Sequence, residues 1–159
     1  MASIALVTGA TRGIGAAIAA RLLEAGHFVI GTATSDAGAA QIQAALGERG
    51  QGVVLNVTDA AACEALVDRI VKEQGSLNVL VNNAGITRDT LALRLKDEDW
   101  DAVLDTNLKS VFRLCRLAIK PMMKQRSGRI VSITSVVGAS GNAGQANYAA
   151  AKAGLAGMS

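Results

Sequence analysis

At 159 residues, half of them hydrophobic, the chain has the length of one domain and enough apolar side chains for a sizeable core. Its single Pro against 17 Gly and its mild formal charge of +3 exclude a disordered polyelectrolyte. No apolar run reaches the roughly 18 residues of a membrane span.

The elements alternate in chain order. Ile4-Ala5-Leu6-Val7 is a short apolar run ending at Thr8-Gly9, and a helical pattern follows over 14–25, closed by Gly26. A second strand is predicted over 28–30, a second helix over 37–46 and a third strand over 53–55. A helix over 60–73 leads to a fourth strand over 79–81 and the loop Asn82-Asn83-Ala84-Gly85. Helical stretches over 97–101 and 103–126 precede a fifth strand over 130–133, and a last helix begins near Asn147. The strands are near-continuous apolar runs, as in a parallel sheet covered on both faces. Strand–helix alternation throughout predicts an α/β fold, a Rossmann-like doubly wound parallel sheet in one domain over 1–159. The stretch Gly138 to Gly144 reads as an active-site loop rather than a boundary.

Thr8-Gly9-Ala10-Thr11-Arg12-Gly13-Ile14-Gly15 joins the first strand to the first helix. Glycines at such a junction allow a tight turn, close approach of a pyrophosphate and close helix–strand packing. The helix N-terminus then offers free N–H groups to phosphate. Alone, the segment could equally be a plain strand-to-helix turn. No acid ends the second strand to meet a ribose 2′-hydroxyl, and Asp36 comes too late. Arg12 can instead meet a 2′-phosphate, with Thr34 adding a hydroxyl, so the expected cofactor is NADP(H). The alternative for Arg12 is a solvated loop charge.

Ser135 is read as ending the fifth strand, and Tyr148, the only tyrosine, follows thirteen positions later. Tyr148 and Lys152 stand at i and i+4, on one helix face. Reducing a ketone leaves an alkoxide that needs a proton. A tyrosine beside an ammonium is suited to give one, and a serine hydroxyl can polarise the carbonyl. Taken singly, these residues could be a packed aromatic, a surface charge and a strand cap. Cys63 and Cys115 lack metal-ligand or CxxC spacing and are expected as buried free thiols of a reducing cytosol. No metal site, signal peptide or nucleic-acid platform is expected: Lys and Arg are spread thinly and aromatics are only 3%.

With these motifs in place, the sequence resembles the short-chain dehydrogenase/reductases along its whole length. The likeness rests on TGATRGIG at 8–15, NNAG at 82–85, and Ser135, Tyr148 and Lys152. It implies that Gly9, Thr11, Arg12, Gly13, Ile14, Gly15, Thr34, Asn56, Val57, Asn83, Ala84 and Gly85, with Tyr148 and Lys152, bind the cofactor. It also implies that NNAG steadies the central strand. Asn107 matches a fourth catalytic residue, which would kink its helix and help hold a proton-relay water linked to Lys152. GTATS at 31–35, NAGITRD at 83–89 and GNAGQANY at 141–148 resemble the 3-oxoacyl-[acyl-carrier-protein] reductase branch. That likeness implies a cytoplasmic, tetrameric, NADPH-dependent enzyme of fatty-acid synthesis, with acyl carrier protein docking at Arg126. Arg126 could equally be a cation complementing a helix C-terminus. Other ketone reductases, such as one acting on acetoacetyl-CoA, share the catalytic set. Family members run to about 250 residues and seven strands. The chain is therefore expected as a C-terminally shortened form with five, and a nucleotide-binding fragment without turnover is the alternative from another functional class.

Overall fold

The computed structural model describes residues 2–159. Its strands are β1 (Ile4–Val7), β2 (Phe28–Ala33), β3 (Gly50–Val54), β4 (Val79–Asn82) and β5 (Arg129–Ser132). All pair in parallel, in the order β3-β2-β1-β4-β5. The helices are α1 (Gly13–Glu24), α2 (Asp36–Leu46), α3 (Ala60–Gln74), α4 (Asp97–Leu104), α5 (Ser110–Gln125), α6 (Val137–Ser140) and α7 (Ala146–Met158). This is the Rossmann-like α/β fold that the alternation predicts. The order reverses between β1 and β4, and that switch point opens a crevice beyond the strands' carboxyl ends.

Strand side chains alternate between two cores. Ile4, Leu6, Ile30 and Leu80 pack with Leu66, Ile70, Leu114 and Ala118 of α3 and α5. Val7, Val29 and Val81 turn to the other face, with Ala19, Ile42 and Leu46 of α1 and α2. Leu6, Val7, Val29 and Leu80 are completely buried.

The structure revises several boundaries. β3 starts at Gly50, earlier than its apolar run, because Gly50 and Gly52 pair with Val29 and Gly31 of β2. A Cβ at Gly52 would collide with the Ala39 carbonyl of α2, so glycine lets that helix lie on the strand. The two helical stretches over 97–126 are one rod, with a π turn (Asp105–Lys109) where Ser110 N–H bonds back to the Asp105 carbonyl. Pro121 lies within α5. β5 ends at Ser132, so Ser135 is not a strand end; it stands in the bend before α6, and α6 fills part of the stretch read as a loop. Cys63 and Cys115 are free thiols, but only Cys63 is fully buried. Arg126 is exposed and caps α5 in the left-handed conformation, at φ 55°.

Candidate active site

A cleft of about 650 Å³ opens at the switch point, lined by Gly9, Thr11, Arg12, Gly13, Ile14, Thr34, Asn56, Val57, Asn83, Ala84 and Gly85. These are residues that the sequence nominates for the cofactor, drawn from the ends of all four strands β1 to β4. Thr32, Ala33, Ser35, Gly38, Leu55, Ile86 and Thr106 complete it. Ser35, read in the sequence only as part of GTATS, is not among the nominated residues, although a serine opening a helix is a recognisable cap. Its Oγ accepts the Gly38 N–H at 3.1 Å.

The loop is built to receive an anion. α1 begins at Gly13, whose φ of +57° favours glycine, and nothing lies within 4 Å of where a Cβ would stand. Its N-cap, Arg12, makes no side-chain capping bond, and its first turn holds no acid, so the helix N–H groups are left for a ligand. Arg12 is exposed and has no carboxylate partner among the described residues. Gly15 does not line the cleft. It is buried behind the loop, where a Cβ would strike the Gly9 carbonyl and the Asn83 amide. Asn83 Nδ2 donates to the Thr8 and Gly9 carbonyls at 3.1 and 2.9 Å. Thr8 Oγ1 accepts the Asn83 and Ala84 N–H groups, both at 3.0 Å. The ends of β1 and β4 are thereby tied together. A pyrophosphate and its ribose fit this donor set.

Ser135, Tyr148 and Lys152 do not line that cleft; Tyr148 and Lys152 pair on α7, and the segment that carries Ser135 packs against that helix. Lys152 is 6% exposed, and its Nζ lies 5.6 Å from the centre of the Tyr148 ring. The ammonium donates to the Ile133 carbonyl at 2.7 Å. Burial pushes the Lys152 pKa down from the ordinary lysine value, because the charged form loses water. Two neighbours of Ser135 hold its bend against α7. Thr134 Oγ1 donates to the Lys152 carbonyl at 3.2 Å. At Gly138 a Cβ would stand 2.9 Å from the backbone of Lys152 and Ala153, so only glycine allows that approach. Ser135 Oγ accepts the Val137 N–H at 3.2 Å.

Asn107 stands beside the cleft, next to Gly85 and Ile86. It is buried in the π turn, and its amide clasps Ile86. Nδ2 donates to the Ile86 carbonyl and Oδ1 accepts the Ile86 N–H, both at 2.9 Å. The two bonds to Ile86 use one N–H and one lone pair of the amide, leaving one of each. The groups gathered here could hold a dinucleotide and move a proton to a substrate oxygen. The described residues contain no cluster of three or more potential metal ligands.

The family model described as short chain dehydrogenase matches residues 3–159. The chain belongs to the short-chain dehydrogenase family. Among curated relatives, the 3-oxoacyl-[acyl-carrier-protein] reductase FabG of Escherichia coli (strain K12) is 59% identical over 156 residues. The protein of that name from Haemophilus influenzae is 57% identical, and that from Pseudomonas aeruginosa 52%. Each alignment covers 98% of this chain and 64% of the relative. The chain thus spans 64% of the length of these relatives, a little under two thirds.

Proposed function

We propose that the sequence encodes the cofactor and proton-transfer parts of an NADPH-dependent reductase. Its reaction converts a 3-oxoacyl group on acyl carrier protein to the 3-hydroxyacyl group, in fatty-acid synthesis. The observation that carries the proposal is Lys152 buried beside the only tyrosine, with the Ser135 bend packed against the same helix. Family membership supports oxidoreductase chemistry with a nicotinamide cofactor, and the relatives' names support the acyl substrate.

The cleft residues hold the dinucleotide, with its phosphates on the open start of α1. Arg12 and Thr34 take the 2′-phosphate that separates NADPH from NADH, since a guanidinium matches phosphate with a planar fork of donors. When bound, the nicotinamide supplies a hydride to the carbonyl carbon. Ser135 holds the carbonyl oxygen. Tyr148 gives its phenolic proton to that oxygen, completing the alcohol. The Lys152 ammonium stabilises the phenolate left behind. Ser135 Oγ accepts the Val137 N–H, which leaves its hydroxyl proton free to donate to the carbonyl oxygen. Exposed Arg126 is a docking point for the acidic carrier, and the assembled enzyme is a cytoplasmic homotetramer.

The test is NADPH oxidation followed at 340 nm with acetoacetyl-carrier protein and with acetoacetyl-CoA, on this chain and on one extended to the relatives' length. Consumption of NADPH with the carrier-bound substrate is expected. Equal rates with NADH would remove the roles of Arg12 and Thr34. A second reading, a nucleotide-binding unit without turnover, draws on the exposed β5 residues Ile130 and Val131 beside the catalytic bend. It predicts NADPH binding with no oxidation.

A further inference from the structure

Asn147, immediately before Tyr148, is completely buried in the first turn of α7. A buried amide is costly unless paired, and asparagine is a poor helix former, so packing alone favours an apolar residue here. The amide is fully occupied. Oδ1 accepts the Tyr148 N–H at 2.8 Å. Nδ2 donates to the Arg88 carbonyl at 3.1 Å and to the Asp99 carbonyl at 3.4 Å. The first bond serves a helix N-terminus whose N-cap, Gln145, makes no side-chain capping bond. The other two reach a different part of the chain and do nothing for the helix itself.

That part is the strap over 86–90 and the first turn of α4. Thr90 N–H bonds the Gly144 carbonyl at 2.9 Å, and Gln145 Nε2 lies 3.3 Å from both carboxylate oxygens of Asp89. The same strap is clasped at Ile86 by Asn107. Within three residues, at 86 and 88, it therefore meets the amides of Asn107 and Asn147.

We infer that Asn147 is a positioning residue for Tyr148: it fixes the start of α7 to the strap and to α4, and so holds the phenol beside Lys152. This rests on the proton-donor role proposed for Tyr148. A helix cap needs only the Oδ1 bond. Positioning needs both donors as well.

Asn147→Asp separates the two. It keeps the acceptor, and a carboxylate suits a helix N-terminus, yet it loses both donors. Asn147→Ala removes everything, and Asn147→Ser is the second truncation in case the alanine variant does not fold. The readout is the nuclear Overhauser effect between the ring of the single tyrosine and the Lys152 methylenes, measured on this chain. Positioning predicts a several-fold weaker effect in Asn147→Asp and in the truncations, with the sheet amide signals retained. In the turnover-competent enzyme, kcat is expected to fall about 10- to 100-fold, the cost of a small misplacement of a reacting group. KM for NADPH stays within about twofold. A wild-type ring–lysine effect in Asn147→Asp, or unchanged kcat, overturns the inference, and so does failure of all three variants to fold. If the wild type itself turns nothing over, the proposed function falls while the Overhauser comparison still decides this point.

Discussion

β1 and β5 carry similar apolar residues at different places in one sheet. Every residue of β1 is buried, whereas Ile130 and Val131 of β5 are 36% and 46% exposed. The cofactor half is built on β1 and has helices on both faces and two continuous cores. The segment beyond β5 proposed as catalytic lies outside those two cores and combines the buried Ala151 and Leu155 of α7 with polar ties, such as Lys152 to the Ile133 carbonyl and Thr134 to the Lys152 carbonyl. The proposed binding and catalytic parts thus rest on different supports, and damage to one should leave much of the other.

The largest separation is expected from Tyr148→Phe. Turnover should fall about 10²- to 10⁴-fold, the usual range for a lost general acid, with NADPH affinity and melting temperature nearly unchanged. A mutant of near wild-type rate would sink the assigned role. Gly15→Ala attacks the other half, forcing a methyl into the Gly9 carbonyl and the Asn83 amide. It should cost about 3 kcal/mol of stability and weaken nucleotide binding, read by thermal unfolding and calorimetry. Arg12→Ala should leave the fold intact and lower the preference for NADPH over NADH about 10- to 100-fold, from the loss of a charged hydrogen bond.

A gentler probe is pH. Burial lowers the Lys152 pKa, so its ammonium is present below that depressed value and lost as pH rises through it. Turnover should therefore show an alkaline limb centred below the ordinary lysine value, while NADPH binding holds across the same window. Smallest of all, Ile130→Thr at the exposed strand should change stability by no more than about 0.5 kcal/mol. It should nevertheless reduce self-association, measured by light scattering.

Much of the cofactor half was legible in the sequence because its requirements are local. A helix opening at Gly13 with positive φ needs glycine, and Tyr148 and Lys152 share a face through helix periodicity alone. Ser135 was misplaced because strand length depends on the partner: β5 stops where Ser132 pairs with Asn82, the last residue of β4. β3 began early because pairing with β2 and packing under α2 outweigh the weak strand preference of Gly50 and Gly52. Asn107 could be nominated only by family resemblance. Its bonds to Ile86 join positions 21 residues apart, and no local pattern announces them. Asn147 likewise spends its two donors on distant carbonyls.

The π turn between α4 and α5 holds one residue more than a regular helical turn would. Each residue advances a helix by about 100°. Deleting exposed Lys109 would let the turn close with a regular bond across four residues, leaving α4 in place and Leu114 and Ala118 of α5 against the sheet. The change would fall on the turn itself, and so on the grip of Asn107 on Ile86. The surplus residue is slack within one rod, and its presence matters more than its side chain.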